Sequence, residues 1–207
     1  MSASSRPVVR FLVVAVVVML GAHLLDGWAY RHLVVDDVYG KDWGRMFRVM
    51  GFAPLWLLGS IALVLTDWPL RLERGARAAW VRGSLLLASV AASGILGELL
   101  KLLFRRERPG AHDGAYVFRA FSDRPLYSGG LALPSSHSIV AFGAACMLAR
   151  LFPRAAPVWY FLAVGCGLTR VMAHAHFVSD VAAAGLVAWA VAAWLWKRWG
   201  RSVPVAT

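Results

Sequence analysis

The sequence is poor in charge, in acidic residues and in cysteine. Only 16% of the 207 residues are charged, and Asp and Glu together number 11, whereas a soluble domain of this length carries about 25% charged residues. The carboxylates are too few and too scattered for a cage of oxygen ligands, so we expect no metal and no other cofactor. The two cysteines, Cys146 and Cys166, lie in apolar runs. They indicate packing rather than a disulfide framework or a metal site.

What the sequence has in abundance is long apolar runs, with 59% hydrophobic residues. Runs of about 20 apolar residues are long enough to cross a bilayer as helices. The sequence therefore predicts an all-α, polytopic membrane bundle with six transmembrane helices, forming a single domain over residues 1–207. The predicted spans cover residues 8–25, 49–66, 83–104, 134–149, 155–169 and 178–196. No convincing cleavage site follows the first run, so we expect it to be retained as a span.

The net charge of +11 does not indicate nucleic-acid binding, because the arginines lie at the ends of apolar runs rather than on one soluble face. The bilayer, its anionic head groups and phosphates are the expected partners. The short connections 67–82 and 150–154 are strongly basic, and short loops carry the positive-inside signal best. We therefore predict a cytoplasmic (inner) membrane protein with both termini in the cytoplasm, and loops 105–133 and 169–177 on the outer face.

Two polar clusters on this outer face suit an anion. Lys101 and Arg108 are seven residues apart, which in a helix is two turns and nearly the same face. Pro134-Ser135-Ser136-His137 stands where a helix is predicted to begin. A helix N-terminus offers free backbone N–H groups and a positive dipole end, and serines there can cap the helix or bond an oxyanion.

A third cluster adds a candidate nucleophile. The stretch Thr169–Asp180 contains Arg170, His176 and Asp180 between segments almost free of charge. If its second half is helical, His176 and Asp180 face the same side, and the carboxylate can bond one imidazole nitrogen while the other faces a reaction partner. The cations and amides together suit a phosphoryl group. Phosphoryl transfer needs positioning, a nucleophile and a proton, and two histidines can divide those tasks.

These three clusters resemble the signature KxxxxxxRP, PSGH and SRxxxxxHxxxD of the type 2 phosphatidic acid phosphatase (PAP2) family, over residues 101–180. The resemblance implies a PAP2/haloperoxidase-like helical core and a phosphohistidine formed on His176, with Asp180 orienting the ring. His137 would protonate the leaving group and then activate water. The residues implied to hold the phosphoryl oxygens are Lys101, Arg108, Ser135, Ser136 and Arg170. Ser136 stands for the family's glycine and Thr169 for its serine, and these replacements keep the backbone N–H and the hydroxyl.

The resemblance implies an integral-membrane lipid phosphatase that cleaves a phosphomonoester or pyrophosphate without a metal. Undecaprenyl pyrophosphate, phosphatidate or phosphatidylglycerophosphate, and the phosphates of lipid A are equally compatible substrates. A lipid-to-lipid phosphotransferase with the same site, and a non-catalytic lipid-binding or flipping protein, are the alternatives. The roles of Glu98, of His174 and of the loop arginines (Arg105, Arg106, Arg119 and Arg124) are left open by the sequence, as is the oligomeric state.

Overall fold

The computed structural model describes residues 6–200 and residue 203. The extreme termini, which we predict to be cytoplasmic, lie outside the described residues. The described part of the chain is helical, with two isolated β-bridges in the loop before the sixth helix. Its helices are α1 Arg6–His32, α2 Asp42–Val49, α3 Ala53–Asp67, α4 Leu70–Arg74, α5 Ala76–Phe104, α6 Ser136–Leu151, α7 Ala156–Met172 and α8 Val178–Trp199.

The apolar helices make this a candidate multi-pass membrane protein. Four of them, α1, α5, α7 and α8, are long and apolar enough to cross a membrane by length and composition. The pair α2 and α3 passes the same test together but is bent by 63°, and α6 is a shorter apolar helix of 16 residues. Each of the six predicted spans corresponds to a helical segment. Because only four of these segments, or five if α2 and α3 form one span, are long and apolar enough to cross a membrane, the predicted number of six transmembrane helices is not confirmed.

Several predicted boundaries are wrong. Residues 26–48, expected to be a loop, contain the last turns of α1 and all of α2. The predicted span 49–66 is broken, since α3 begins only at Ala53. In the predicted loop 67–82, α5 already begins at Ala76. Hydropathy indicates the apolar part of a helix, whereas the helix itself continues into polar sequence until its backbone hydrogen bonds end.

Helix α6 forms the centre of the bundle. Ten of its residues are buried, and Ser89 on α5 donates a hydrogen bond of 2.7 Å to the carbonyl oxygen of Gly143 on α6. A side chain at Gly143 would meet Ser89 and Ser93 at 3.1–3.2 Å, so glycine allows α5 and α6 to approach closely. Helix α1 packs on the outside of α8, where the rings of Phe11 and Trp189 stack at 5.1 Å.

The polar contacts of the bundle are concentrated at the end where α5, α7 and α8 meet the long loop 105–135. At the other end, the buried Asp67 on α3 pairs with Arg82 on α5 and joins those two helices. Cys146 and Cys166 are free and buried, as their place in apolar runs predicts.

Candidate active site

Three buried or half-buried cations converge where α5, α6, α7 and α8 meet. Lys101 in the last turn of α5 is 4% exposed, and Arg170 in the last turn of α7 is 5% exposed. Arg108 repels both electrostatically and is half-buried. Arg108 does not lie on the same helix as Lys101, because α5 ends at Phe104. The helical argument for their proximity was therefore wrong, and the loop brings Arg108 back to the helix end instead.

The positive charge of Arg108 and Arg170 is not compensated by acids. Neither arginine forms a salt bridge within the described residues, and the buried Nε atom of each lacks a hydrogen-bond partner there. Arg170 Nη1 donates a hydrogen bond of 2.6 Å to the neutral hydroxyl of Tyr39, which in turn donates to the carbonyl of Thr169. Buried guanidinium groups without acidic partners are costly, so an anion with several oxygens would be stabilised among them.

Helix α6 presents its N-terminus to these cations. Ser135 is the N-cap, and its hydroxyl accepts hydrogen bonds from the N–H and the hydroxyl of Ser138, at 3.4 and 2.9 Å. The Ser135 hydroxyl caps the helix and is completely buried, so it is not open to a ligand. The first-turn N–H groups of Ser136 and His137 have no acceptor within the helix, and they are the groups of this segment that remain for an anion.

Ser136 joins Lys101 to Glu98. The Lys101 ammonium donates to the Ser136 hydroxyl and, at 3.2 Å, to Glu98 on the same helix. The Ser136 hydroxyl donates to the same Glu98 oxygen at 2.7 Å. Glu98 therefore partly neutralises one of the three cations, and Ser136 is a bridge that glycine would not provide at this position.

His176 lies in the short connection between α7 and α8 and is 3% exposed. Its Nδ1 is 2.9 Å from the carbonyl oxygen of Ala132. A carbonyl can only accept a hydrogen bond, so Nδ1 carries the proton and a neutral ring has its lone pair on Nε2. Burial lowers the pKa of His176 to about 4, against the raising effect of Asp180. The imidazole is consequently neutral at physiological pH, which is the state that a nucleophile requires.

Asp180 contacts this ring but does not hold it by a hydrogen bond. His176 stands two residues before α8, outside the helix that the prediction assumed. Its Nδ1 is 3.6 Å from Asp180 Oδ2, beyond normal hydrogen-bond distance. That oxygen accepts the N–H of Phe177 at 2.7 Å instead, and Asp180 Oδ1 accepts from the buried Arg106. The expected hydrogen bond is thus replaced by a close electrostatic contact, and Ala132 orients the ring.

His137 occupies the first turn of α6, close to the same cations. The charges of Arg170 and Lys101 act on both His137 and His176, which places the two histidines at one site. The break between α2 and α3 packs against His137. A Cβ atom at Gly51 would lie 2.6 Å from that of His137, so this approach requires glycine.

Two of the residues left open by the sequence have structural roles. His174 adopts a positive φ of 52°, its Nε2 is 2.9 Å from the carbonyl oxygen of Tyr30, and its ring stacks on the Tyr30 ring at 4.1 Å. Because a carbonyl only accepts, His174 is the donor, and it ties the connection between α7 and α8 to α1. Arg105 is 1% exposed and donates to backbone carbonyls of residues 119–125.

Sequence reasoning missed the partners that orient the predicted residues. These partners are Ala132 for His176, Arg106 for Asp180 and Tyr39 for Arg170. Each is separated from the residue it contacts by 44 to 131 positions along the chain. No local spacing connects such pairs. The one available signal was that Arg106 belongs to the run Arg105-Arg106-Glu107-Arg108 beside the predicted helix end. Among the described residues, no group of three or more His, Cys, Asp or Glu side chains is arranged to hold a metal ion.

Comparison with known proteins identifies the family of the chain. The family model of the PAP2 superfamily matches residues 82–204, and the chain belongs to that superfamily. The lipid A 1-phosphatases of Rhizobium etli and Rhizobium johnstonii are each 38% identical to it over 106 residues. The alignments cover 50% of this chain and only 44% and 42% of those relatives. No solved structure matches the chain.

Proposed function

We propose that the protein is a membrane lipid phosphatase that transfers the phosphoryl group of a lipid phosphate or pyrophosphate to His176 and then to water. The observation that carries this proposal is a buried histidine whose Nδ1 faces the carbonyl of Ala132, near arginines that have no acidic partner within the described residues. A group with about two negative charges and several oxygens satisfies the arginines. The same group offers the phosphorus atom that the Nε2 lone pair can attack.

The first step forms an N–P bond and breaks the bond between phosphorus and the lipid oxygen. The leaving oxygen takes a proton from the protonated ring of His137, which becomes neutral. In the second step His137 removes a proton from water, the water oxygen attacks phosphorus, and the N–P bond breaks to release inorganic phosphate. Lys101, Arg108, Arg170 and the first-turn N–H groups of α6 stabilise the charge on the phosphoryl oxygens throughout. Because these cations already supply the positive charge, we propose that no metal is required.

The substrate to be tested first is a lipid A 1-phosphate, because both similar proteins carry that activity in their names. Undecaprenyl pyrophosphate and phosphatidate present the same reacting group on a different lipid. The purified protein, in detergent with EDTA, is offered each of the three lipids, and released phosphate is measured. Phosphate release that requires added Mg²⁺ would contradict the metal-free mechanism. Transfer to a second lipid without phosphate release would establish the phosphotransferase instead.

The assignment of His176 as the nucleophile is tested by substituting two histidines that lie two positions apart. His176→Ala should lower phosphate release by at least about a thousandfold, because no other group can form the intermediate. His174→Asn is the matched control, since asparagine tolerates the positive φ and His174 bonds Tyr30 outside the site. It should retain most of the activity. Turnover that survives in His176→Ala at the wild-type rate would exclude His176 as the nucleophile.

A further inference from the structure

A carboxylate on α1 lies behind the candidate nucleophile. Asp26 is 1% exposed and is the one acidic residue of α1. Ionisable groups inside a membrane span are costly, and each one raises the question of what it does. Asp26 accepts three hydrogen bonds, from the Tyr116 hydroxyl at 2.7 Å, the Ser179 N–H at 2.8 Å and the Ser179 hydroxyl at 2.5 Å. It is therefore satisfied, but by partners on α8 and in the long loop.

Further hydrogen bonds connect Asp26 to the candidate site, and the donor and acceptor of each are determined by the groups involved. The Ser179 hydroxyl has one proton and gives it to Asp26, so its lone pairs are free to accept. They accept from Arg106 Nη2 at 2.8 Å, and the same nitrogen donates to Asp180 Oδ1. Asp180 in turn faces His176 at 3.6 Å. If Asp26 lost its charge, the Ser179 hydroxyl would be free to rotate and Arg106 would lose a defined acceptor.

This chain of contacts has a net negative charge only because Asp26 is included. Arg106 is 2% exposed and lies against the rings of Tyr116 and Phe177, so its charge is poorly screened by water. On its own Arg106 would cancel the charge of Asp180. With Asp26, two carboxylates stand against one guanidinium, and the cluster keeps one net negative charge. That charge lies behind a ring that becomes positive when Nε2 bonds phosphorus.

We propose that Asp26 is a positioning residue for the reaction at His176, acting through Ser179, Arg106 and Asp180. The inference rests on the proposed function, because it needs His176 as the nucleophile. Asp26 does not touch the substrate. It keeps Arg106 oriented and preserves the negative field that stabilises the phosphorylated imidazole. The first transmembrane helix, which lies outside the PAP2 match at residues 82–204, thereby contributes to catalysis.

The experiment compares Asp26→Asn, Ser179→Ala and the double variant with wild type. We expect each single change to lower kcat about tenfold, the effect of losing one hydrogen bond to a charged group, and to leave KM nearly unchanged. The double variant should lose little more than either single one, because both changes interrupt the same connection. Orthovanadate becomes five-coordinate when a nucleophile binds its vanadium and then resembles the reacting phosphoryl group. Its dissociation constant should rise about tenfold in the same three variants.

Asp67→Asn is the matched control. Asp67 is equally buried, at 1% exposure, and is paired with Arg82 at the opposite end of the bundle. The Asp67→Asn substitution should lower the melting temperature while kcat and vanadate binding stay at wild-type values. Wild-type kcat and vanadate binding in Asp26→Asn, or fully multiplicative losses in the double variant, would overturn the proposed role of Asp26. If His176→Ala binds vanadate and turns over substrate as wild type does, the proposed function fails and this inference fails with it.

Discussion

Lys101 forms an ion pair with a carboxylate in the absence of substrate. Its ammonium contacts Glu98 directly and through the Ser136 hydroxyl, while Arg108 and Arg170 have no acidic partner among residues 6–200. Glu98 therefore competes with a phosphoryl group for Lys101.

The prediction for Glu98→Gln follows from this competition. The amide keeps a hydrogen-bond acceptor for Lys101 but removes the negative charge. We expect the inhibition constant for inorganic phosphate to fall about threefold at low salt, a small change because Glu98 is partly exposed and screened. The measurement is phosphate inhibition of lipid hydrolysis in low and high salt. A rise in the inhibition constant would mean that Glu98 mainly positions Lys101.

The protonation of His176 gives a second prediction for a single residue. Burial lowers the pKa of His176 to about 4, whereas an unperturbed histidine has a pKa of about 6.5. A lowered pKa favours the neutral form, so His176 should stay neutral with its proton on Nδ1 as the pH falls from 8 to 5. Nitrogen NMR of histidine-labelled protein, with His176→Ala to assign the signal, measures this directly. Protonation near pH 6.5 would contradict it.

Sequence spacing selected the candidate site residues but did not predict their contacts. The spacing between His176 and Asp180 selected that pair, and the predicted helix start selected the segment around His137; their catalytic roles stay predictions. The predicted hydrogen bond between His176 and Asp180 is not formed, because the carbonyl of Ala132, 44 positions away in the chain, takes its place. Short spacings report which side chains share a face, whereas the orientation of a ring is decided by whatever the rest of the chain brings beside it.

At the scale of elements, the long loop 105–135 owes its shape to Arg105. This residue ends α5 with a positive φ of 55°, and its guanidinium donates to the carbonyls of Arg119, Ala120 and Pro125 at 3.0–3.1 Å. It also donates to the carbonyl of Asp123. One buried side chain thus donates to several backbone carbonyls of the same loop. The same segment delivers Arg106 and Arg108 to the site.

Arg105→Lys tests this function of the loop. A single ammonium cannot reach the same set of carbonyls, so we expect the free energy of local opening to fall by about 3 kcal/mol. Hydrogen exchange of residues 119–125 should accelerate, and kcat/KM should fall because Arg106 and Arg108 are displaced. Arg124→Lys is the control, because the Arg124 side chain is 68% exposed. Equal exchange rates in the two variants would exclude the proposed role of Arg105.

The positions of the apolar helices were predictable and their ends were not. Each predicted span lies on a helical segment, since a bilayer demands a continuous apolar run. The bend of 63° between α2 and α3 falls inside a predicted span, where Gly51 packs on His137. Hydropathy does not distinguish a straight helix from a broken one. The break depends on a tertiary contact that appears only in the folded chain.

At the scale of the whole molecule, the proposed orientation places the site on the outer face of the inner membrane. Both native cysteines are buried, Cys146 at 2% and Cys166 at 0% exposure, so they should give little background in labelling. Lys41→Cys and Arg124→Cys lie at the end of the bundle that carries the site, and Arg154→Cys lies at the other end. In intact cells a membrane-impermeant maleimide should label the first two and leave the third unlabelled. The reverse pattern would invert the proposed topology.

The shortness of α6 determines how deep the chemistry takes place. Its 16 residues make a helix of about 24 Å at 1.5 Å per residue, compared with a hydrocarbon layer of about 30 Å. If its inner end lies level with those of its longer neighbours, its N-terminus stops several ångströms short of the outer surface. A lipid phosphate must then sink below its neighbours in the leaflet to reach Ser136 and His137, or the leaflet must thin around the protein. Lipids in thinner bilayers should consequently be turned over faster, because less displacement is needed.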